Sequence, residues 1–384
     1  MNKQNQLSEI HLSGKPYIIY KSKTGFNVFT NFSKKIILTN NNIKSFLEKK
    51  YKKKNKNTDL FIGFFGYELL SNLIGVKIPK QKNINFPKGI FYKPEKIINL
   101  TNNINYKNNE RFKSSNFKIN INKNSYTKIF NNFKKKIKSG ETYQIKICTK
   151  YKTKSEIDPL DFFSRLSKTN LAPEAFLIKD KSYSIISCSP ENLITKKGSN
   201  ISTKPIAGTV KKTKSLNKVK ALNYFKKNIK ETKEHNMIVD MERNDLSIIC
   251  KTGTVKLSRA KIVEEYKDLF HYVSLIKGKL RKNIKSIDII KAMMPGGSVI
   301  GCPKISTLNL LNHQEKENRN IYTGSFGYLK FNGDMRFNII IRSILNFKNF
   351  SEISVASGVV VDSNPKHEFN ENFIKAKALI DLFK

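Results

Sequence analysis

The stretch of this chain best equipped for chemistry is Glu231-Thr232-Lys233-Glu234-His235-Asn236-Met237-Ile238-Val239-Asp240-Met241-Glu242-Arg243-Asn244-Asp245. It packs five carboxylates into a chain of 384 residues that has 72 basic and 30 acidic side chains and a formal charge of +42. Glu231 and Glu234 are three apart, so a helix would project them from one face, followed there by Ile238 and Met241. Two neighbouring carboxylates repel unless a cation or a proton comes between them. The same spacing returns near the end of the chain as Glu368 and Glu371, within His367-Glu368-Phe369-Asn370-Glu371-Asn372-Phe373. Two such pairs facing one another would make a hard, all-oxygen cage of the kind that suits Mg²⁺. Taken singly, each pair reads first as a solvated helix face, since acidic spacings of this kind are common on exposed helices.

The elements that must position these residues follow from pattern. A long helix is expected from about Leu216 to Met241 and a basic amphipathic one over Ser125 to Lys138, ending at Gly140. Ser363-Asn364-Pro365 opens a last helix, with proline in its first turn and an apolar stripe of Phe369, Phe373, Ala376, Ile380 and Phe383. Strands are expected at Pro16 to Lys21, Phe26 to Thr30, Lys35 to Thr39, Tyr143 to Tyr151, Tyr183 to Cys188, Thr254 to Leu257, Tyr322 to Phe331, Arg336 to Phe347 and Ile353 to Val361, and a loop over Lys204 to Thr213. Several strands adjoin without a helix between them, which favours α+β over a doubly wound parallel sheet. Residues 1–110 form a first region, the polar tract Thr101 to Asn116 a surface loop, and residues 117–384 the remainder. Inside the apolar run Ile339-Ile340-Ile341-Arg342-Ser343-Ile344, Arg342 is a guanidinium that needs an anion.

The charge raises a second class of function, nucleic-acid binding. Of the 72 basic residues, however, only 8 are Arg, and base readers and phosphate clamps lean on Arg. No basic arm, zinc finger or RNP-like segment is present, so a nucleic-acid partner is not expected. The longest apolar run, Leu60 to Leu70, is interrupted by glycines and Glu68 and is too short to span a bilayer, so a membrane is not expected either and the chain reads as cytoplasmic. Cys148, Cys188, Cys250 and Cys302 lack CxxC spacing and sit among apolar residues, as reduced core thiols do.

Five segments stand out together: Ser189-Pro190-Glu191, Pro205-Ile206-Ala207-Gly208-Thr209, Glu234-His235 through Arg243-Asn244-Asp245, Pro295-Gly296-Gly297-Ser298-Val299-Ile300-Gly301-Cys302-Pro303-Lys304, and Gly358-Val359-Val360-Val361-Asp362-Ser363 leading to Glu371 and Lys375. In this order and jointly they resemble the chorismate-utilising enzymes, the family of anthranilate synthase component I, aminodeoxychorismate synthase component I and the isochorismate and salicylate synthases. The resemblance implies one large unit of two roughly orthogonal β-sheets flanked by helices, with an amino-terminal region over residues 1–110 and a chorismate-binding catalytic domain over 117–384. It implies that Glu234 and Glu371 ligate Mg²⁺, with Glu231 and Glu368 close by, and that the ion grips the ring carboxylate of chorismate. It places Gly208 and Thr209, on a turn with free N–H groups, at that same end of the ring, with Lys375 balancing charge. Glu191 becomes the general acid for the departing hydroxyl, with Ser298 and His271 beside the substrate. Arg342 takes the carboxylate of the enolpyruvyl arm, which Tyr328 and the glycines near Gly358 also meet.

Two positions address the nucleophile. Family members that add water carry a lysine base where this chain has Gln144, and glutamine takes no proton from water. Amination is then expected, with ammonia from a separate glutamine amidotransferase, since no glutaminase elbow surrounds any cysteine. Pro295-Gly296-Gly297-Ser298 and Gly333-Asp334-Met335-Arg336-Phe337-Asn338-Ile339 are more similar to aminodeoxychorismate synthases, the folate branch. Against this, many of those enzymes carry a ring-attacking lysine at the position of Ala207, which keeps anthranilate synthesis as the alternative.

Overall fold

The computed structural model describes residues 3–52, 55–78, 86–101, 103–108, 113–169, 172–213, 215–265 and 269–384. Its strand pairings are antiparallel and join into one continuous ladder. Starting at Lys256–Glu265, the order runs through Leu269–Lys279, Asn200–Lys204, Asn192–Lys197, Met335–Asn338, Ser325–Lys330, Leu60–Phe65, Gly89–Leu100 and Phe26–Ile37. It continues through Tyr17–Lys21, Glu174–Lys179, Tyr183–Ser189, Ser343–Phe347 and Phe350–Val359 to Gln144–Glu156.

The ladder folds back on itself, and its two halves bury a shared core of Ile18, Phe29, Ile62, Phe64, Phe176, Ile185, Phe326 and Leu345. Each such side chain removed from water stabilises the fold by roughly 1.5–3 kcal/mol. The two expected sheets are thus two halves of one hydrogen-bonded system, joined where Tyr17–Lys21 pairs with Phe26–Ile37. Helices cover both outer faces. Val239 and Leu246 of Ile229–Ser247 pack with Ile287 and Ile290 of Ser286–Met293 on one side. Leu160 and Phe163 of Pro159–Thr169 pack with Ala376 and Leu379 of Pro365–Ile380 on the other. The α+β class follows from this segregation.

The amino-terminal region is woven into the same unit. Buried Glu68 accepts from the backbone N–H groups of Arg319 at 2.6 Å and Asn320 at 3.3 Å. The Arg319 side chain, 1 % exposed, pairs with Glu315 and donates to the Lys146 carbonyl at 2.9 Å. Buried charges tied to several partners in this way fix a strand's position, because breaking one leaves another uncompensated.

Four local expectations are corrected. The long helix from Leu216 is two, Lys218–Lys227 and Ile229–Ser247. Asn228 ends the first with its N–H on Tyr224 and Phe225 carbonyls and caps the second by accepting from Glu231 N at 3.2 Å. Within the expected loop Lys204 to Thr213, Ile206–Lys211 is a strand, with Gly208 opposite Tyr272 and Thr209 opposite His271, so these two do not sit on a turn. The expected strand Arg336 to Phe347 is interrupted between Met335–Asn338 and Ser343–Phe347, and Arg342 stands in that gap at φ 51. In the last helix the buried face is Glu368, Asn372, Ala376 and Leu379, while Phe373, assigned to the apolar stripe, is 50 % exposed. Smaller revisions merge Phe26 to Thr30 and Lys35 to Thr39 into one strand, Phe26–Ile37. The four cysteines are free thiols. Among the described residues, no helix is long and apolar enough to cross a membrane.

Candidate active site

Both glutamate helices border one cavity of about 420 Å³. Its floor is the ladder of Gln144–Glu156 with Phe350–Val359, in which Lys146 lies opposite Gly358. A Cβ at position 358 would come within 2.8 Å of both the Gln144 amide nitrogen and Lys146 Nζ. Glycine there leaves the space those two side chains use.

They use it to reach Glu234. Its Oε1 accepts from Lys146 Nζ at 2.9 Å and from Gln144 Nε2 at 3.1 Å. Burial pushes the Glu234 carboxyl up, but the Lys146 ammonium more than offsets this and brings it down to about 2. Burial likewise lowers the Lys146 ammonium, and Glu234 more than reverses it. On the last helix, Glu371 pairs with Lys375 at 2.7 Å, and Lys375 also donates to the Ala356 carbonyl at 3.0 Å. Burial works against ionisation of Glu371 too, but Lys375, with a hydrogen bond from Glu368, holds it below the usual carboxylate range. Glu368 is 2 % exposed and lines the same cavity. Glu231 completes the set, its Oε2 so close to Gly208 that a Cβ there would sit 2.4 Å from it.

Elsewhere on the wall, the strand Tyr183–Ser189 delivers Glu191, 4 % exposed. Its backbone is fixed by Ser189 Oγ at 3.3 Å and by Ile339 N at 3.1 Å, and its carboxyl accepts from Ser298 Oγ at 2.8 Å. Burial raises Glu191 to about 7, against the hydroxyl of Ser298 and the more distant charges of Lys146 and Arg342. Arg342 lines the cavity too. Among the described residues no carboxylate lies at ion-pair distance from its guanidinium, and burial lowers it. A cation held without a carboxylate partner beside an open cavity is a place for an anion.

Glu231, Glu234, Glu368, Glu371, Glu191, Ser298, Arg342, Gly358 and Lys375 therefore share one cavity wall. Gln144, 1 % exposed, touches it through Glu234. His271 stands behind it, hydrogen-bonded to the Gly208 backbone, with burial as the main cause of its drop to about 4, and it is neutral at pH 7. Tyr328 does not belong. It packs near Tyr20 at a 6.4 Å ring separation, under Lys330, and the tyrosine on the cavity wall is Tyr322.

Two further residues escape a reading by motif. Lys146 is two past Gln144 on a strand, so alternation puts both on one face, and that signal was available. Glu242, 1 % exposed, takes the Thr203 hydroxyl and is raised well above the usual range by burial and by Glu191. The other members of the acidic stretch diverge: Asp245 pairs with Lys304 at 2.8 Å and Asp240 with Arg243 at 3.2 Å on the surface.

The two glutamate pairs border one cavity, as their spacing leads us to expect, but they are not gathered into a cage. Among the described residues no three His, Cys, Asp or Glu side chains converge as metal ligands do. The chemistry of the set nevertheless fits Mg²⁺: hard oxygens, with Glu234 kept ionised far below neutral pH.

Residues 15–381 match the model of a family described as chorismate binding enzyme. The aminodeoxychorismate synthase component 1 of Bacillus subtilis is 36 % identical over 247 residues, 64 % of this chain and 53 % of that protein, so the chain spans about half of that relative's length. An anthranilate synthase component I-like protein of Synechocystis is 30 % identical over 347 residues, 83 % of this chain and 72 % of that one. The crystal structure of anthranilate synthase component I from Streptococcus pneumoniae superposes with a TM-score of 0.76 at 24 % identity, covering 96 % of this chain and 90 % of that chain, a likeness of fold.

Proposed function

We infer the activity from one premise, that this chain belongs to the chorismate binding enzyme family: it aminates chorismate with ammonia, with Mg²⁺ bound by the glutamate pairs, to give 4-amino-4-deoxychorismate. The observation that carries this reading is the contrast between two carboxyl groups on one cavity wall, Glu191 at about 7 and Glu234 at about 2. A group near 7 is half protonated at neutral pH and can hand a proton to a leaving hydroxyl, which then departs as water. The other stays an anion suited to a cation.

Glu234 and Glu371 would hold the magnesium ion, with Glu231 and Glu368 beside them. When bound, the ion supplies Lewis-acid stabilisation of charge at the ring carboxylate. Arg342, which lines the same cavity, receives the second carboxylate. Ser298 holds the Glu191 proton donor in place. Gln144 offers no base for water, and its amide is engaged with Glu234. These features support ammonia over water as nucleophile. The component 1 names of the relatives support a partner glutamine amidotransferase as its source.

A specific residue favours the second reading, anthranilate with release of pyruvate: Ala207, on the strand Ile206–Lys211, cannot form a covalent bond to the ring. One experiment separates them. The protein is mixed with chorismate, Mg²⁺ and an ammonium salt. A product that a lyase converts to para-aminobenzoate supports the first reading, fluorescent anthranilate with pyruvate supports the second, and unchanged chorismate overturns both. Adding glutamine in place of ammonium should give no product until the amidotransferase is supplied.

A further inference from the structure

Lys146 and Lys375 each neutralise a glutamate on the cavity wall, but they do so in different ways. Lys375 is one turn from Glu371 on the same helix, its side chain is 39 % exposed, and its ammonium also donates to the Ala356 carbonyl. Lys146 reaches Glu234 from a strand 88 residues earlier in the chain, and its side chain is 11 % exposed. Its backbone is clamped by Arg319 through the carbonyl. Its ammonium lies on Glu234 and also feels Glu371 and Glu368. It is a cation in contact with a glutamate of one helix and within the field of two on the other, on the carboxylate that a divalent ion bound to those helices would need.

We propose that Lys146 is a resident counter-cation of the divalent site: in the metal-free protein its ammonium occupies the place of the ion on Glu234, and the ion binds by displacing it. The proposal rests on the magnesium reading above. A divalent ion and an ammonium on the one carboxylate of Glu234 repel each other, and that repulsion grows as the site excludes water. The lysine has the means to leave. Four rotatable bonds carry its ammonium, and Gly358 opposite presents no side chain to hold it in place.

The consequence is that magnesium affinity is limited by a competitor built into the chain. The test is calorimetric titration of MgCl₂ into the full-length, EDTA-treated protein and into Lys146→Met, Lys146→Gln and Lys146→Arg, with thermal melts of each in metal-free buffer. The Met and Gln variants should bind Mg²⁺ about tenfold tighter or more, and melt lower without metal but regain the loss when it is added. Lys146→Arg, which keeps the charge, should bind as the natural protein does. Should Met not fold, Gln keeps a polar contact to Glu234 and carries the test. Magnesium affinity that is unchanged or weaker in folded Met or Gln variants overturns the proposal while leaving the magnesium site itself standing. No magnesium binding by any form, natural protein included, overturns both.

Discussion

Glu191 and Glu234 face the same cavity, the first 4 % exposed and the second with 28 % of its side chain open, yet one sits at about 7 and the other at about 2. Burial pushes both upward. Glu234 meets an ammonium and an amide within 3.1 Å, whereas Glu191 meets a single hydroxyl, with a second carboxyl, Glu242, close enough for the two to act on each other. The partner decides, and the same cavity keeps one acid as an anion and the other able to carry a proton. An enzyme that must bind a cation and protonate a leaving group needs that division.

The largest expected effect breaks the anionic side. Glu234→Gln or Glu371→Gln should reduce magnesium-dependent turnover of chorismate by roughly 10³-fold or more, because the ion's several kcal/mol of charge stabilisation is lost. Circular dichroism and thermal melts should show both variants folded. Full activity in excess EDTA would refute the premise outright. Next in size is the proton-carrying side. Glu191→Gln keeps the shape and the Ser298 contact but has no proton to give, so kcat should fall about 10² to 10⁴-fold with little change in KM.

The same variant tests the difference through stability. Glu191 is near 4.5 when unfolded and about 7 when folded, so the folded protein holds the proton longer. Its contribution is fully present below the unfolded value and is lost as pH rises through 7, so glutamine should be the more stable residue at pH 8 but not at pH 4. The expected gain is on the order of 1–3 kcal/mol, read from melts at the two pH values.

Much of this contrast was legible in the sequence, and the failures have physical causes. The doubled Glu-x-x-Glu, Ser189-Pro190-Glu191 and Pro295 to Lys304 are local patterns, and local geometry keeps their members together. The break at Asn228 was not legible, since an asparagine within a polar helix reads as a surface residue until its cap is seen. Ile206–Lys211 is a strand because Leu269–Lys279 pairs with it across some sixty residues, and single-sequence propensity does not carry that information. Arg342 looked like a strand residue because three isoleucines precede it, but the chain turns there. Phe373 looked like core because it is aromatic, while Glu368 and Asn372 took the inward face to serve the cavity and Thr149. Sequence reading erred most where polar residues occupy buried positions for the sake of the site.

A smaller effect concerns the cation opposite these acids. Arg342→Lys keeps the charge but loses the planar fork, so kcat/KM for chorismate should drop about 10 to 100-fold, mostly through KM, as a two-point grip on a carboxylate becomes a single one. Steady-state kinetics at saturating Mg²⁺ would show the split. A change confined to kcat would place Arg342 on the reacting atoms instead.

The smallest effect is the most pointed, because it alters the setting of Glu191 and leaves the residue in place. Ser298 donates its hydroxyl to Glu191 Oε1 at 2.8 Å, which favours the ionised carboxylate and holds its value down against burial. Ser298→Ala removes that donor from a glutamate that is only 4 % exposed, so Glu191 should rise further and stay protonated to higher pH. A general acid works only while protonated, so the alkaline limb of kcat, expected near pH 7, should move upward, with activity at pH 8 falling less in the variant than in the natural protein. The acidic limb should stay where it is, since Glu234 and its partner Lys146 are untouched. A downward shift of the alkaline limb, or an equal shift of both limbs, would mean that the proton reaching the leaving hydroxyl does not come from Glu191, and the contrast between the two carboxyls would then belong to folding rather than to catalysis.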